Sequence, residues 1–142
     1  RFMPFEGQTK PEPITADELK ISQDQLYLQD AFITYAELGK KIEYLGTEEV
    51  EGSECHKIKL TDKNDVEITY FIDSDNYLVI KQITKTKVNG QEFENTQVIS
   101  NYKKLDEGIM FPMSISGNFG GIEFQKVEIN LAVDDSEFKV SN

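Results

Sequence analysis

The chain has 142 residues, 26 of them acidic and 15 basic, and its formal charge of −11 repels phosphate backbones and anionic headgroups, which argues against nucleic-acid binding. Only 38% of the residues are hydrophobic, so the length allows one domain with a thin core, and no apolar run is long enough for a membrane-spanning helix. Cys55 is the single cysteine, so an internal disulfide is excluded.

The opening Arg1-Phe2-Met3-Pro4-Phe5 shows no initiator methionine and no basic-apolar-small leader, and reads as a processed or excised piece. On this reading 1–142 form a single domain truncated at its N-terminus, with an extended entry and lid helices in 1–40 and an antiparallel sheet in 41–142. Strands lost from the front would leave one sheet edge without a neighbour, open to pairing with a second copy of the chain.

Pro4, Pro11 and Pro13 keep the entry extended or turned. Thr15 begins a T-A-D-E capping box with Glu18, which predicts a helix over about 16–25. Asp30 is a good N-cap for a second helix ending at Leu38, with Gly39 free to take the left-handed conformation that closes it. Phe32 and Ala36 share a face of that helix at i, i+4 spacing.

From Lys41 the period changes to two. Six stretches rich in β-branched and aromatic residues are separated by turn clusters at Glu51-Gly52, 62–65, 73–76, Asn89-Gly90, 106–108 and 117–121. No segment between them is long enough for a crossover helix, so they form an antiparallel meander. In Val66 to Asp73, Val66, Ile68, Tyr70 and Ile72 share one face and Glu67, Thr69, Phe71 and Asp73 the other. Ile109, Phe111, Met113 and Ile115 likewise face one way, with Pro112 favouring an edge or a bulge. The longest pair, Leu78 to Val88 and Glu92 to Tyr102, meets at Asn89-Gly90, a type I′ hairpin signal. Gln82, Thr84 and Thr86, beside Lys81, Lys85 and Lys87, mark the outer end of this hairpin as solvated on both sides. The apolar region lies near its base, with the helices of 16–38 as its natural cover.

Catalytic chemistry is not readable in this pattern. Cys55 and His56 are adjacent, but consecutive strand residues point to opposite faces, so the pair reads as structural rather than as a nucleophile with its base. The run Asp73-Ser74-Asp75-Asn76 resembles the start of a calcium loop, yet Leu78 and Thr84 stand where such a loop needs Gly and Glu, so an Asx-rich turn explains it better. Asp134-Asp135-Ser136 reads as a cap. One His and one Cys exclude a zinc site built from those residues alone. No nucleophile elbow, phosphate loop or dinucleotide fingerprint is present; no catalytic residue, metal or cofactor is expected.

Several ordered segments carry a resemblance. Pro4-Phe5-Glu6-Gly7, then YAELGKKIEYLGTEEVEGSECHKIKL (35–60), YFIDSDNYLVIK (70–81), SNYKKLDEGIMFP (100–112) and KVEINLAVDDSEFKV (126–140) together resemble the C-terminal two thirds of the LolA-like outer-membrane lipoprotein-sorting proteins, particularly those of Bacteroidetes-type bacteria. Within these segments the ordered features are Gly46-x-Glu48-x-Val50-x-Gly52 followed by Lys57-x-Lys59-Leu60, an Ile72-Asp73 turn with Tyr77-Leu78, then Tyr102 with Gly108 and Phe111-Pro112, and Asp134-Asp135-Ser136-x-Phe138. Departures are modest: Val79 stands where the family often has proline.

The resemblance implies an α+β, mainly antiparallel fold: a curved sheet forming an unclosed half-barrel with a short helical lid. It also implies a periplasmic, non-catalytic carrier that shelters lipoprotein acyl chains or other lipids between sheet and lid. Phe32 and Tyr35 from the lid, with Ile68, Tyr70, Ile72, Phe111, Met113, Ile115 and Phe124 from the sheet, are the candidate lining of that cavity. The alternative on the same fold is a protein-interaction or envelope-stress sensing module with an envelope protein as partner.

Overall fold

The β-branched and aromatic runs after Lys41 become seven strands in the computed structural model, which describes residues 13–16, 19, 31–64, 66–88, 90–106, 108–118 and 120–134. They are β1 (Lys41–Val50), β2 (Ser53–Thr61), β3 (Glu67–Asp73), β4 (Val79–Val88), β5 (Gln91–Lys104), β6 (Met110–Gly117) and β7 (Gly120–Glu123). Each pairs antiparallel with the next, in the order β1-β2-β3-β4-β5-β6-β7. The described strands leave β1 and β7 at opposite edges, so the sheet is unclosed.

Tight turns set the registers. Val50 pairs with Ser53 across a two-residue loop in which Glu51 has φ +53° and Gly52 φ +87°, the double left-handed geometry that matches strand twist in a type I′ hairpin. Val88 pairs with Gln91 around Gly90, φ +78°; Asn89, the other half of that turn signal, lies outside the described residues. Bulges interrupt the ladders. β1 carries one extra residue between Tyr44 and Thr47, where Gly46 takes φ +93°, and the β3–β4 register shifts between Phe71 and Ile72. Such bulges bend and twist a sheet locally.

Local turn hydrogen bonds set several strand starts that alternation alone runs too far. Val66 precedes β3 because its amide donates to Asp62 Oδ1 at 2.9 Å. Leu78 precedes β4 because its amide donates to Asn76 Oδ1 at 2.8 Å. Ile109 stays in the turn before β6, its carbonyl accepting from the Leu105 amide at 2.8 Å. Pro112 pairs with Tyr102 of β5 and lies beyond the β7 ladder, which covers only Ser114 to Gly117, so it holds a local edge position on a strand that is flanked further along. Asn101, beside Pro112's partner Tyr102, has φ +55°, so the irregularity expected of proline falls on the opposing strand.

The second helix is shorter than the sequence predicts. In place of Asp30 to Leu38, the described helix is α1 (Ala31–Thr34), followed by turns to Gly39. Ile33 and Thr34 are β-branched, and a segment this short gains too little from its own hydrogen bonds to extend. Gly39 does take the left-handed conformation, φ +67°, and the Lys40 amide donates to the Tyr35 carbonyl at 2.7 Å. Of the first predicted helix, Leu19 donates to the Thr15 carbonyl at 2.9 Å. Glu18, most of the remaining 16–25 segment and Asp30 lie outside the described residues.

The registers divide the sheet into two faces. On one, β1 to β3 present Ile42, Tyr44, His56, Ile58, Leu60, Ile68, Tyr70 and Ile72 in cross-strand rows. The other is ionic, with Lys57–Glu48 at 2.8 Å, Lys59–Glu43 at 3.1 Å, Lys85–Glu94 at 3.2 Å and Lys87–Glu92 at 3.0 Å. These pairs are solvated and contribute at most about 1 kcal/mol each. The described core is split between the faces. Leu60 is buried on the apolar face, while Val50, Cys55 and Phe71 form a cluster on the ionic one with Ile80 and Ile83 against it.

Candidate functional site

The apolar face carries eight of the nine candidate lining residues, in two groups. Ile68, Tyr70 and Ile72 alternate along β3, and Phe32 of α1 lies over Tyr70 with ring centroids 4.7 Å apart at 59°. Tyr35, the ninth, falls in the turns after α1 and is exposed. Phe111, Met113 and Ile115 alternate along β6, with Met113 buried. Phe124, just past β7, donates its amide to the Met113 carbonyl at 2.8 Å and meets Phe111 edge to face at 5.3 Å.

Between the groups run Gln82 and Thr84 of β4 and Asn95 and Gln97 of β5, joined to them by register. The Gln82 amide donates to Thr84 Oγ1 at 3.3 Å. Three strand spacings, about 14 Å, separate β3 from β6. The polar strip separates the two groups over the Gln82 and Thr84 rows, while toward the base of the hairpin Ile72 pairs with Val79 of β4 and Ile115 with Ile99 of β5.

Two of the hollows on the described surface bear on the apolar face and the long hairpin. One, of about 240 Å³, borders the second patch at Gln97, Ile115, Gly117, Gly121 and Ile122. The larger, about 420 Å³, lies at the outer end of the long hairpin among Glu67, Lys85, Lys87, Glu92, Phe93 and Glu94. Neither is lined by Phe32, Ile68, Tyr70 or Ile72.

The polar candidates resolve into structure. Asp73 Oδ1 accepts the amides of Asp75 at 2.9 Å and Asn76 at 3.1 Å. These bonds, Asn76 first, hold the Asp73 carboxyl below the usual carboxylate range. These amide bonds make the run an Asx turn. Cys55 pairs with Asp73 on the ionic face while His56 pairs with Ile72 on the apolar one, so the two form no dyad. Burial, then the Asp73 charge, pushes the Cys55 thiol up and away from nucleophilic thiolate. Among the described residues no group of His, Cys, Asp and Glu could hold a metal ion, and no helix is long and apolar enough to cross a membrane.

Sequence reasoning missed one cluster. Tyr44 Oη lies 3.3 Å from His56 Nδ1, and the His56 ring stacks against Tyr77 at 6.4 Å and 12°. Tyr77 belongs to no strand and has φ +60°, so no periodicity could bring it to His56; the signal was confined to three-dimensional turn geometry.

A meandering, unclosed antiparallel sheet with one apolar face defines a class of fold that the comparisons identify. The family of predicted periplasmic proteins designated DUF2092 matches residues 14–111, and the chain belongs to it. With that family it is placed in the periplasm. A crystal structure of a domain assigned to outer membrane lipoprotein sorting, from Vibrio parahaemolyticus, is similar over 70% of this chain with a TM-score of 0.54 and 12% identity. The match spans 46% of that chain, less than half its length. At this identity the likeness is one of fold, and the fold is LolA-like. No curated protein matches the sequence.

Proposed function

We propose that the protein is a periplasmic, non-catalytic binding protein or carrier for lipoprotein acyl chains or other lipids, held on the apolar face under a lid that includes α1. The observation that carries this reading is the pairing of Phe32 with Tyr70, 4.7 Å apart, on a face whose apolar rows continue through Ile68 and Ile72. The fold shared with a lipoprotein-sorting domain supports it. Acyl binding needs no catalytic group. Each buried methylene contributes about 0.8 kcal/mol, so ten supply ~8 kcal/mol before entropic costs. A lid whose described helix is four residues long opens at little cost, as release requires.

A second reading on the same fold is a protein-interaction or envelope-stress sensing module. It is favoured by the position of the two hollows, both away from the Phe32–Tyr70 contact, and by exposed apolar side chains such as Ile33 and Ile122. An envelope protein is then the partner, and the open edges of the described sheet accept either its strand or a second copy of the chain. Native mass spectrometry of protein purified from the bacterial envelope separates the readings. Stoichiometric co-purified acyl lipid supports the carrier; a lipid-free protein bound to another polypeptide supports the module.

A further inference from the structure

Three rings on the apolar face belong neither to the two patches nor to the core. Tyr44 of β1, His56 of β2 and Tyr77 of the turn after β3 gather at the end where β1 and β2 meet, with Tyr44 and His56 centroids 6.0 Å apart and the His56 and Tyr77 rings stacked at 6.4 Å. Tyr44 is 59% and Tyr77 72% exposed, so both keep open ring surface. Directly beyond them, the β1–β2 register sets Glu49 opposite Glu54. Like charges so placed destabilise a hairpin. Neither glutamate is in an ion pair among the described residues, whereas Glu43, Glu48, Glu92 and Glu94 are neutralised on the ionic face. The Ser74 amide donates to the Glu54 carbonyl at 2.9 Å, which fastens the Tyr77 turn beside the glutamates.

Aromatic ring faces present the negative part of their quadrupole, and two unneutralised carboxylates beside them add to the same potential. Both features select a cation carried on an apolar stem, which packs along the rings while its charge reaches the glutamates. A zwitterionic lipid headgroup fits less well, because its phosphate would meet Glu49 and Glu54. We propose that Tyr44, His56 and Tyr77, with Glu49 and Glu54, form a docking site for a lysine- or arginine-bearing segment of a protein partner. The overall charge of −11 steers such a segment toward the molecule. This site stands whether or not the face carries acyl chains.

The test is titration of the ¹⁵N-labelled full chain with an acetylated, amidated Gly-Lys-Ala-Lys-Gly peptide, beside the same peptide with norleucine for lysine. Shift changes are expected around residues 44, 49, 54, 56 and 77 with the lysine peptide alone. Tyr77→Asn, which suits a left-handed backbone and keeps the turn folded, should weaken binding about fivefold or more, as should Glu49→Gln with Glu54→Gln. Unchanged affinity in Tyr77→Asn, equal binding of the norleucine peptide, or preference for phosphatidylcholine vesicles over the peptide would each overturn the proposal.

Discussion

Phe71 lies on the face that alternation marks as polar, yet it is only 1% exposed. Lys57 and Lys81 place their ammonium groups 5.3 and 5.0 Å from its ring centroid, so their stems cover the ring while their charges stay wet. Phe71→Ala should therefore cost about 3 to 5 kcal/mol in urea unfolding, whereas Ile122→Ala, at an exposed site, should change stability by less than about 0.5 kcal/mol. Equal effects would contradict the placement of the core. The neighbouring Asp73 gives the chain an acid-sensitive joint. Its folded carboxyl titrates below its unfolded value, so on acidification the unfolded chain binds the proton first. The stabilisation is complete above the ordinary carboxylate range near about 4 and is lost as pH falls through the lower folded value. Asp73→Asn should be less stable than the parent at neutral pH, with the gap narrowing in unfolding curves recorded at progressively lower pH.

At the scale of elements, turns hold the registers. A Cβ built on Gly52 would meet nothing within 4 Å, but its backbone stands at φ +87°, so Gly52→Ala tests conformation without sterics. It should cost about 1 kcal/mol; an unchanged midpoint in thermal or urea unfolding would mean that the β1–β2 hairpin relaxes to another turn. The strands were legible in the sequence because glycine, Asx pairs and β-branched runs act locally: Glu51-Gly52, Gly90 and the Asp73 turn all lie where composition puts them. What local pattern could not supply is tertiary. The alternation of β3 correctly groups Ile68 with Tyr70 and Ile72, but it cannot say that two lysines from β2 and β4 will bury Phe71 on the reverse side. Nor does it reveal that Gln82, Thr84, Asn95 and Gln97 align across strands into a strip dividing part of the apolar face, since that depends on register between segments. The length of the helix failed for a similar reason: caps mark where a helix can begin and end, while its persistence depends on the packing it finds.

At the scale of the whole molecule, the described part of an acidic chain folds into an open sheet that puts its cross-strand ion pairs on one face and its apolar rows on the other. That asymmetry is wasteful for an isolated domain and useful for one that receives an apolar guest, because exposed hydrophobic surface favours being covered. The polar strip between the β3 and β6 patches makes the guest's length matter. A chain must run about 14 Å to bridge them, so long acyl chains should bind more tightly than short ones. The most direct measurement is titration of the full chain with a fluorescent long-chain fatty acid, in parallel with Ile68→Glu and Phe111→Glu, each variant checked for folding by circular dichroism. The carrier account predicts saturable, near-stoichiometric binding, displacement by unlabelled long-chain fatty acid, and loss of binding in both variants. A folded parent protein that leaves the probe free, or binding unchanged by a charge at either position, would contradict it.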